Sequence, residues 1–283
     1  MSSTLACNGK LLDLSPATPP KVMGILNVTP DSFSDGGLFV SREKALQQAR
    51  RMVREGAAII DVGGESTRPG ATAVSVQEEL ERVIPVIEAI HQSCEAIISV
   101  DTSKPEVMRE AVRAGAGMIN DVRALREPGA LDVAKEAAVP VCLMHMQGEP
   151  RSMQKTPRYT DVISEVKSFL QQRIAACEAR GIPGDAIFVD PGFGFGKRVE
   201  HNLQLVKRLA DFVALGKPVL MGVSRKSTLG ALLDRPPRER LAGSIALATL
   251  CCEFGARIIR AHDVAATVDA VKIFHAVRNA DNE

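Results

Sequence analysis

The chain is predicted to be an α/β protein, a (β/α)8 TIM barrel with a short N-terminal β-hairpin. Three observations carry this. Eight short apolar runs recur along the 283 residues, helical periodicity fills most of the gaps, and every run ends in a polar residue able to do chemistry. Parallel strands joined by crossover helices give such a pattern. An open doubly wound sheet would gather its polar residues at one switch point. Here they follow every strand, which favours the barrel. Catalytic residues of that fold sit at the C-terminal strand ends, so the strand-end residues approximate an active site.

The elements follow in order. Residues 5–14 read as a hairpin turning at Asn8-Gly9, a pair suited to a two-residue turn. The first strand, 22–26, ends at Asn27, and Ser41 is expected to cap a helix that runs to 55 and stops at Gly56. The second strand, 57–60, ends at Asp61. A helix over 76–93 follows, with Leu80, Val83, Ile84, Ile87 and Ile90 as its apolar stripe and a kink expected at Pro85. The third strand ends at Asp101 and its helix runs from Lys104-Pro105 to Gly115. The fourth ends at Asn120-Asp121, before a helix over 129–138. The fifth ends at His145, before a helix over 161–180 that Gly181 terminates. The sixth ends at Asp190, before a helix over 202–214. The seventh ends at Ser224-Arg225-Lys226, before a helix over 238–254. The eighth ends at Arg260 and His262, with a last helix over 263–278.

Composition narrows the function. Basic and acidic residues number 35 and 34, without the basic excess of a nucleic-acid or membrane-surface binder. One Tyr and no Trp also disfavour stacking on nucleic acid. No apolar stretch approaches the ~20 residues of a membrane span, and no secretory signal is recognisable. The six cysteines form no C-x-x-C pair, which suits reduced thiols in a cytoplasmic protein. No linker of distinct composition divides the chain, so residues 1–283 are expected to form a single domain.

Two loops are dense in Gly, Ser, Thr and Asp: residues 27–37 and 63–71. Their hydroxyls and backbone amides suit phosphate oxygens, and Arg68 can grip one bidentately. Three resemblances to motifs fail. Gly192 to Lys197 has the wrong spacing for a phosphate loop, with Arg198 where Ser or Thr should stand. Val199 spoils a dinucleotide fingerprint there. Lys226 replaces the second glycine of a nucleophile elbow at Gly222 to Lys226. What remains is Asp101, Asn120 and Asp190, converging from separate strand ends with Lys226 as a further donor. That lining fits an amide-like heterocycle, since a carboxylate takes two adjacent N–H donors and Asn offers a donor and an acceptor. Arg68, Arg260 and His262 are expected to supply positive charge at the rim. Asp61 and Asp121 read as braces of the strand ends, and His145 as structural. No all-protein metal site is indicated. A Mg2+ held mainly by phosphate and water, with one oxygen from Asn27, fits that ion's preferences.

Met23 to Gly37 and Asp61 to Gly70 resemble the two N-terminal signatures of the dihydropteroate synthase family. Val100-Asp101-Thr102, Ile119-Asn120-Asp121, Leu143 to Met146, Asp190 to Phe195, Ser224 to Ser227 and Arg260 to Asp263 follow in the family's order. The resemblance spans roughly residues 8–275. It implies one pterin-binding domain that joins 4-aminobenzoate to (7,8-dihydropterin-6-yl)methyl diphosphate by an SN1-like path. It further implies that Asp101, Asn120, Asp190 and Lys226 bind the pterin, flanked by Met144 and Arg260. Asn27, Thr67, Arg68, Arg260 and His262 would hold the diphosphate, with Asn27 also at Mg2+. Phe33, Pro69, Phe195 and Ser227 would receive 4-aminobenzoate. Lys226, Asp101 and Arg260 are the residues on which catalysis would rest. A homodimer, and a target for sulfonamides, are implied in the same way. The alternatives are a pterin-dependent methyltransferase of the same barrel type and a non-catalytic pterin-binding subunit.

Overall fold

The computed structural model describes residues 4–29, 37–66, 73–149 and 152–280, with the side chains of 37–41 excepted. Strands β1 (Thr4–Cys7) and β2 (Lys10–Asp13) pair antiparallel. They turn at Asn8 and Gly9, whose φ of 50° and 79° match the twist of a two-residue hairpin turn. Eight further strands are parallel: β3 (Lys21–Asn27), β4 (Ile59–Gly63), β5 (Ile97–Asp101), β6 (Met118–Asp121), β7 (Val141–Met144), β8 (Ile187–Asp190), β9 (Leu220–Met221) and β10 (Ile258–Ala261). Their order is β8-β7-β6-β5-β4-β3-β10-β9. A parallel bridge between Val189 and Val219, with Val189 N donating to Pro218 O at 3.0 Å, joins the two ends into a barrel.

Side chains alternate faces along a strand. One inward residue from each strand forms a bottom layer: Met23, Ile59, Ile97, Met118, Cys142, Phe188, Leu220 and Ile258. Leu5, Cys7, Leu12 and Leu14 of the hairpin pack on this layer and plug it. The fit is tight enough that a Cβ on Gly117 would lie 2.6 Å from Cys7 O. Lys10 Nζ ties the plug to Cys94 O and Ala96 O at 3.0 and 2.9 Å. The outward residues of the strands pack against the helices in a second, larger core.

The helices are α1 (Gly37–Arg54), α2 (Val76–Ser93), α3 (Pro105–Arg113), α4 (Ala130–Ala137), α5 (Val162–Arg180), α6 (Val199–Lys207), α7 (Leu209–Val213), α8 (Ser227–Leu233), α9 (Leu241–Glu253) and α10 (Val264–Arg278). Ser75 Oγ caps α2, accepting from Glu78 N at 3.2 Å, and the helix is continuous through Pro85. Three boundaries differ from the sequence expectation. The first helix begins at Gly37, so Ser41 lies inside it and is not its cap. The sixth crossover is two helices, broken at Arg208 where ψ reaches 26°. The seventh gains α8, which ends on the left-handed Asp234 ahead of Pro236-Pro237, residues that block its continuation.

Candidate active site at the barrel mouth

Counting up from the plug by twos gives the site. Two residues above the bottom layer, the strands present Asp61, Asn120, Met144, Asp190 and Arg260. Two further on come Asn27, Gly63, Asp101 and, beyond the last residues of β9 and β10, Ser224 and His262. The same alternation sends Asp121 outward. It accepts from Ser103 Oγ, from Arg123 N at 2.8 Å and from Leu125 N at 2.7 Å, and so braces the loop after β6 as expected.

Asp61 departs from the sequence reading. β4 continues to Gly63, so Asp61 is an interior residue and no mere brace. It is fully buried, and its Oδ2 accepts from Arg260 Nε at 2.6 Å and from Asn120 Nδ2 at 3.1 Å. Arg260 Nη2 donates to Asp101 Oδ2 at 2.7 Å. Four strands thus share one chain of charge, Asp101–Arg260–Asp61–Asn120. Burial raises the Asp101 carboxyl well above the usual range, Arg260 pulls it down, and Asp61 pushes it up again. Burial disfavours the Arg260 cation, but Asp61 and Asp101 together hold it firmly charged. Asp61 Oδ1 has no hydrogen-bond partner among the described residues.

Asp190 is buried across the pocket and accepts from Gly192 N at 2.7 Å. Burial pushes its carboxyl up to about 6 against the pull of that N–H, Lys226, Lys197 and Arg260. Lys226 immediately precedes α8, and its Nζ lies 4.1 Å from the Phe195 ring centroid, a cation–π contact. Ser227 opens the helix and is exposed. Phe195 and Met144 join Val122, Met146 and Met153 in a small apolar cluster of their own. Sequence reasoning missed the last three, since nothing in their spacing separates them from ordinary core residues.

His262 corrects an expectation of charge. Burial pushes its imidazole down to about 4, helped by Arg260 and Arg225. Its N donates to Ser224 Oγ at 3.2 Å, and its Nδ1 lies 3.0 Å from the same oxygen. At neutral pH it is a neutral hydrogen-bonding group at the rim and no fixed cation. Asn27 and Asp101 approach Gly63 from the strands on its two sides: a Cβ there would lie 3.7 Å from both Asn27 Oδ1 and Asp101 Oδ2. Lys104 pairs with Glu65 and with buried Glu79, while Val74 N donates to Glu65 Oε1 at 3.4 Å. Phe33, Thr67, Arg68 and Pro69 lie outside the described residues. So the structure brings together Asn27, Asp101, Asn120, Met144, Asp190, Phe195, Lys226, Arg260 and His262, with Ser227 at the edge. Among the described residues no three His, Cys, Asp or Glu side chains gather as a metal cage.

The profile of the pterin binding enzyme family matches residues 23–262 of this chain. The dihydropteroate synthase of Escherichia coli K12 is 56% identical over 276 residues, 98% of this chain and 97% of the relative. Among solved structures, Yersinia pestis dihydropteroate synthase with a sulfonamide drug complex superposes with a TM-score of 0.92 at 52% identity, covering 98% of this chain and 99% of that one. Xanthomonas albilineans dihydropteroate synthase with 4-aminobenzoic acid gives a TM-score of 0.92 at 53% identity, with the same coverage.

Proposed function

This chain belongs to the dihydropteroate synthase family of pterin-binding enzymes, and on that premise we propose how its barrel mouth does the chemistry. The protein is a transferase that joins 4-aminobenzoate to (7,8-dihydropterin-6-yl)methyl diphosphate, giving 7,8-dihydropteroate and diphosphate in folate biosynthesis. The observation that carries the residue assignment is the buried chain Asp101–Arg260–Asp61–Asn120 facing Asp190.

Asp101, Asn120 and Asp190 bind the polar edge of the pterin, and Lys226 donates to its carbonyl or ring nitrogen. Met144 and Arg260 flank the ring. Asn27, Thr67, Arg68, Arg260 and His262 hold the diphosphate. Phe33, Pro69 and Phe195 pack around 4-aminobenzoate, and Ser227 receives its carboxylate. The C–O bond to diphosphate breaks, and its electron pair leaves with the diphosphate. The aminobenzoate nitrogen then forms the C–N bond to the cationic pterin methylene and releases a proton to solvent. The incoming amine is neutral at pH 7, so no protein nucleophile or general base is required. The carboxylates along the ring edge stabilise the cation as it forms.

Asn27 Oδ1 is a hard, neutral oxygen at the mouth, of the kind Mg2+ takes alongside phosphate oxygens and water. The donor chemistry fits. When bound, the ion would offset charge on the leaving diphosphate.

We further place a homodimer contact on α9 and α10, which leave Leu250, Ile273 and Val277 exposed. No helix among the described residues is long and apolar enough to cross a membrane, and a cytoplasmic location is part of the same proposal. Diphosphate release measured with and without 4-aminobenzoate tests the activity. Release that requires the amine is expected. Methyl transfer from a methylated folate, or no turnover at all, would refute it.

A further inference from the structure

The segment Gly192 to Lys197, which matches no phosphate loop, closes on its own lysine. Lys197 is only 2% exposed. Its ammonium donates to Gly192 O at 2.9 Å and Phe195 O at 3.0 Å, and meets His145 Nδ1 at 2.9 Å. Phe195 N donates to Gly192 O at 3.1 Å, so the two carbonyls are the ends of one turn. Burial holds the His145 imidazole far down, at about 2, with Lys197 adding to the effect, so the ring is neutral, and the tautomer with its proton on Nε2 lets Nδ1 accept from the Lys197 amine. Three buried acceptors therefore converge on the Lys197 amino group, with His145 O a fourth at 3.5 Å; burial disfavours its charged form and pulls it down to about 7, while Asp190 favours the charge.

The outer side of the turn is pinned as well. Gln154 Nε2 donates to Gly194 O, Tyr159 Oη donates to Gly196 O at 2.9 Å, and Gly194 N donates to Asn202 Oδ1 at 2.8 Å. Gly192, Gly194 and Gly196 all have positive φ. A Cβ on Gly192 would lie 1.8 Å from His145 O, and one on Gly194 3.2 Å from Lys226 Cδ. The turn is thus pressed between the strand below it and the pocket lysine above it. Removing the amino group takes the donor from buried Phe195 O and His145 Nδ1 and leaves Gly192 O with Phe195 N alone, which forces the turn to rearrange.

We propose that Lys197 is a positioning residue for the aminobenzoate subsite: its buried ammonium shapes the Gly192–Phe195 turn from inside and so sets the Phe195 ring against Lys226. This rests on reading Phe195 as a wall of that subsite. The test is a double-mutant cycle with Lys197→Met and Phe195→Ala, following KM for 4-aminobenzoate, kcat and Tm. Lys197→Met should raise KM at least tenfold and by more than it lowers kcat. In the Phe195→Ala background the same change should move KM less than threefold. A lower Tm with unchanged KM would overturn the proposal and leave a role in stability alone. Fully multiplicative effects would also overturn it. If Phe195→Ala alone leaves KM unchanged while Lys197→Met raises it, the subsite reading fails, and with it the route through Phe195. Lys197→Gln, which keeps donors, provides a second variant. Failure of both lysine variants to fold would overturn the positioning role.

Discussion

Asp61 grips the Nε of Arg260 at 2.6 Å from a site with no solvent exposure, while the far edge of the same guanidinium reaches Asp101. The pair spans β4 and β10, strands that do not pair with each other but both flank β3. It therefore ties the barrel interior together and fixes the plane of the Arg260 guanidinium. Breaking a buried ion pair by deleting one partner typically costs about 3–5 kcal/mol. Asp61→Ala should destabilise the fold by about 3 kcal/mol, the low end, because Arg260 keeps Asp101. Urea unfolding measures this. A loss below about 1 kcal/mol would show that the pair does not hold the barrel.

Asp190 should control pterin affinity through its charge state. Its carboxyl titrates near 6 because burial raises it, and only the ionised form accepts two parallel N–H bonds. Affinity for a neutral pterin analogue should therefore rise with pH through about 6. Asp190→Asn should weaken binding and flatten that limb, while affecting 4-aminobenzoate less. Calorimetric titration from pH 5 to 8 reads both, and an unchanged limb in the variant would assign it to another group.

Lys226→Ala should leave the fold intact, because the side chain is only partly buried at a helix start. A charge-assisted hydrogen bond is worth roughly 1.5–3 kcal/mol, so kcat/KM should fall about 10- to 150-fold. Near wild-type kcat/KM in the purified variant would remove Lys226 from the site.

Most of the fold was legible because strand period and strand-end chemistry coincide. Asp101, Asn120 and Asp190 could be picked out as polar residues closing apolar runs, and they do meet. The N-terminal hairpin was visible in Asn8-Gly9. Asp61 was misjudged because its apolar run appeared to stop there, whereas Val62 and Gly63 continue the strand and carry it one layer inside. The neutrality of His262 depends on burial beside Arg260 and Arg225, neighbours brought together only by folding. The break at Arg208 was illegible because apolar residues continue across it, so periodicity alone shows no boundary. The added α8 spans only Ser227–Leu233 before Asp234 to Pro237 end it, too short a stretch for a helical period to show.

His262 gives a pH signature of its own. Histidine in an unfolded chain titrates near 6.5, and in the fold this group is pushed down to about 4. Between those values the unfolded chain takes up a proton that the folded protein resists. The group's contribution is whole above about pH 6.5 and is lost as pH falls toward 4. At about 1.4 kcal/mol per pKa unit, the loss is on the order of 3 kcal/mol. Asp190, raised by burial, acts in the opposite sense, because its folded form binds the proton more readily over part of the same range. His145 acts in the same sense as His262 and Asp101 in the same sense as Asp190, so the total stability curve mixes all of them, and the comparison with His262→Gln isolates this histidine. The variant's stability should fall less steeply than wild type between pH 6.5 and 4.5 in urea unfolding. Parallel curves for the two proteins would mean that His262 is free to protonate in the fold, and would restore it as a cation at the rim.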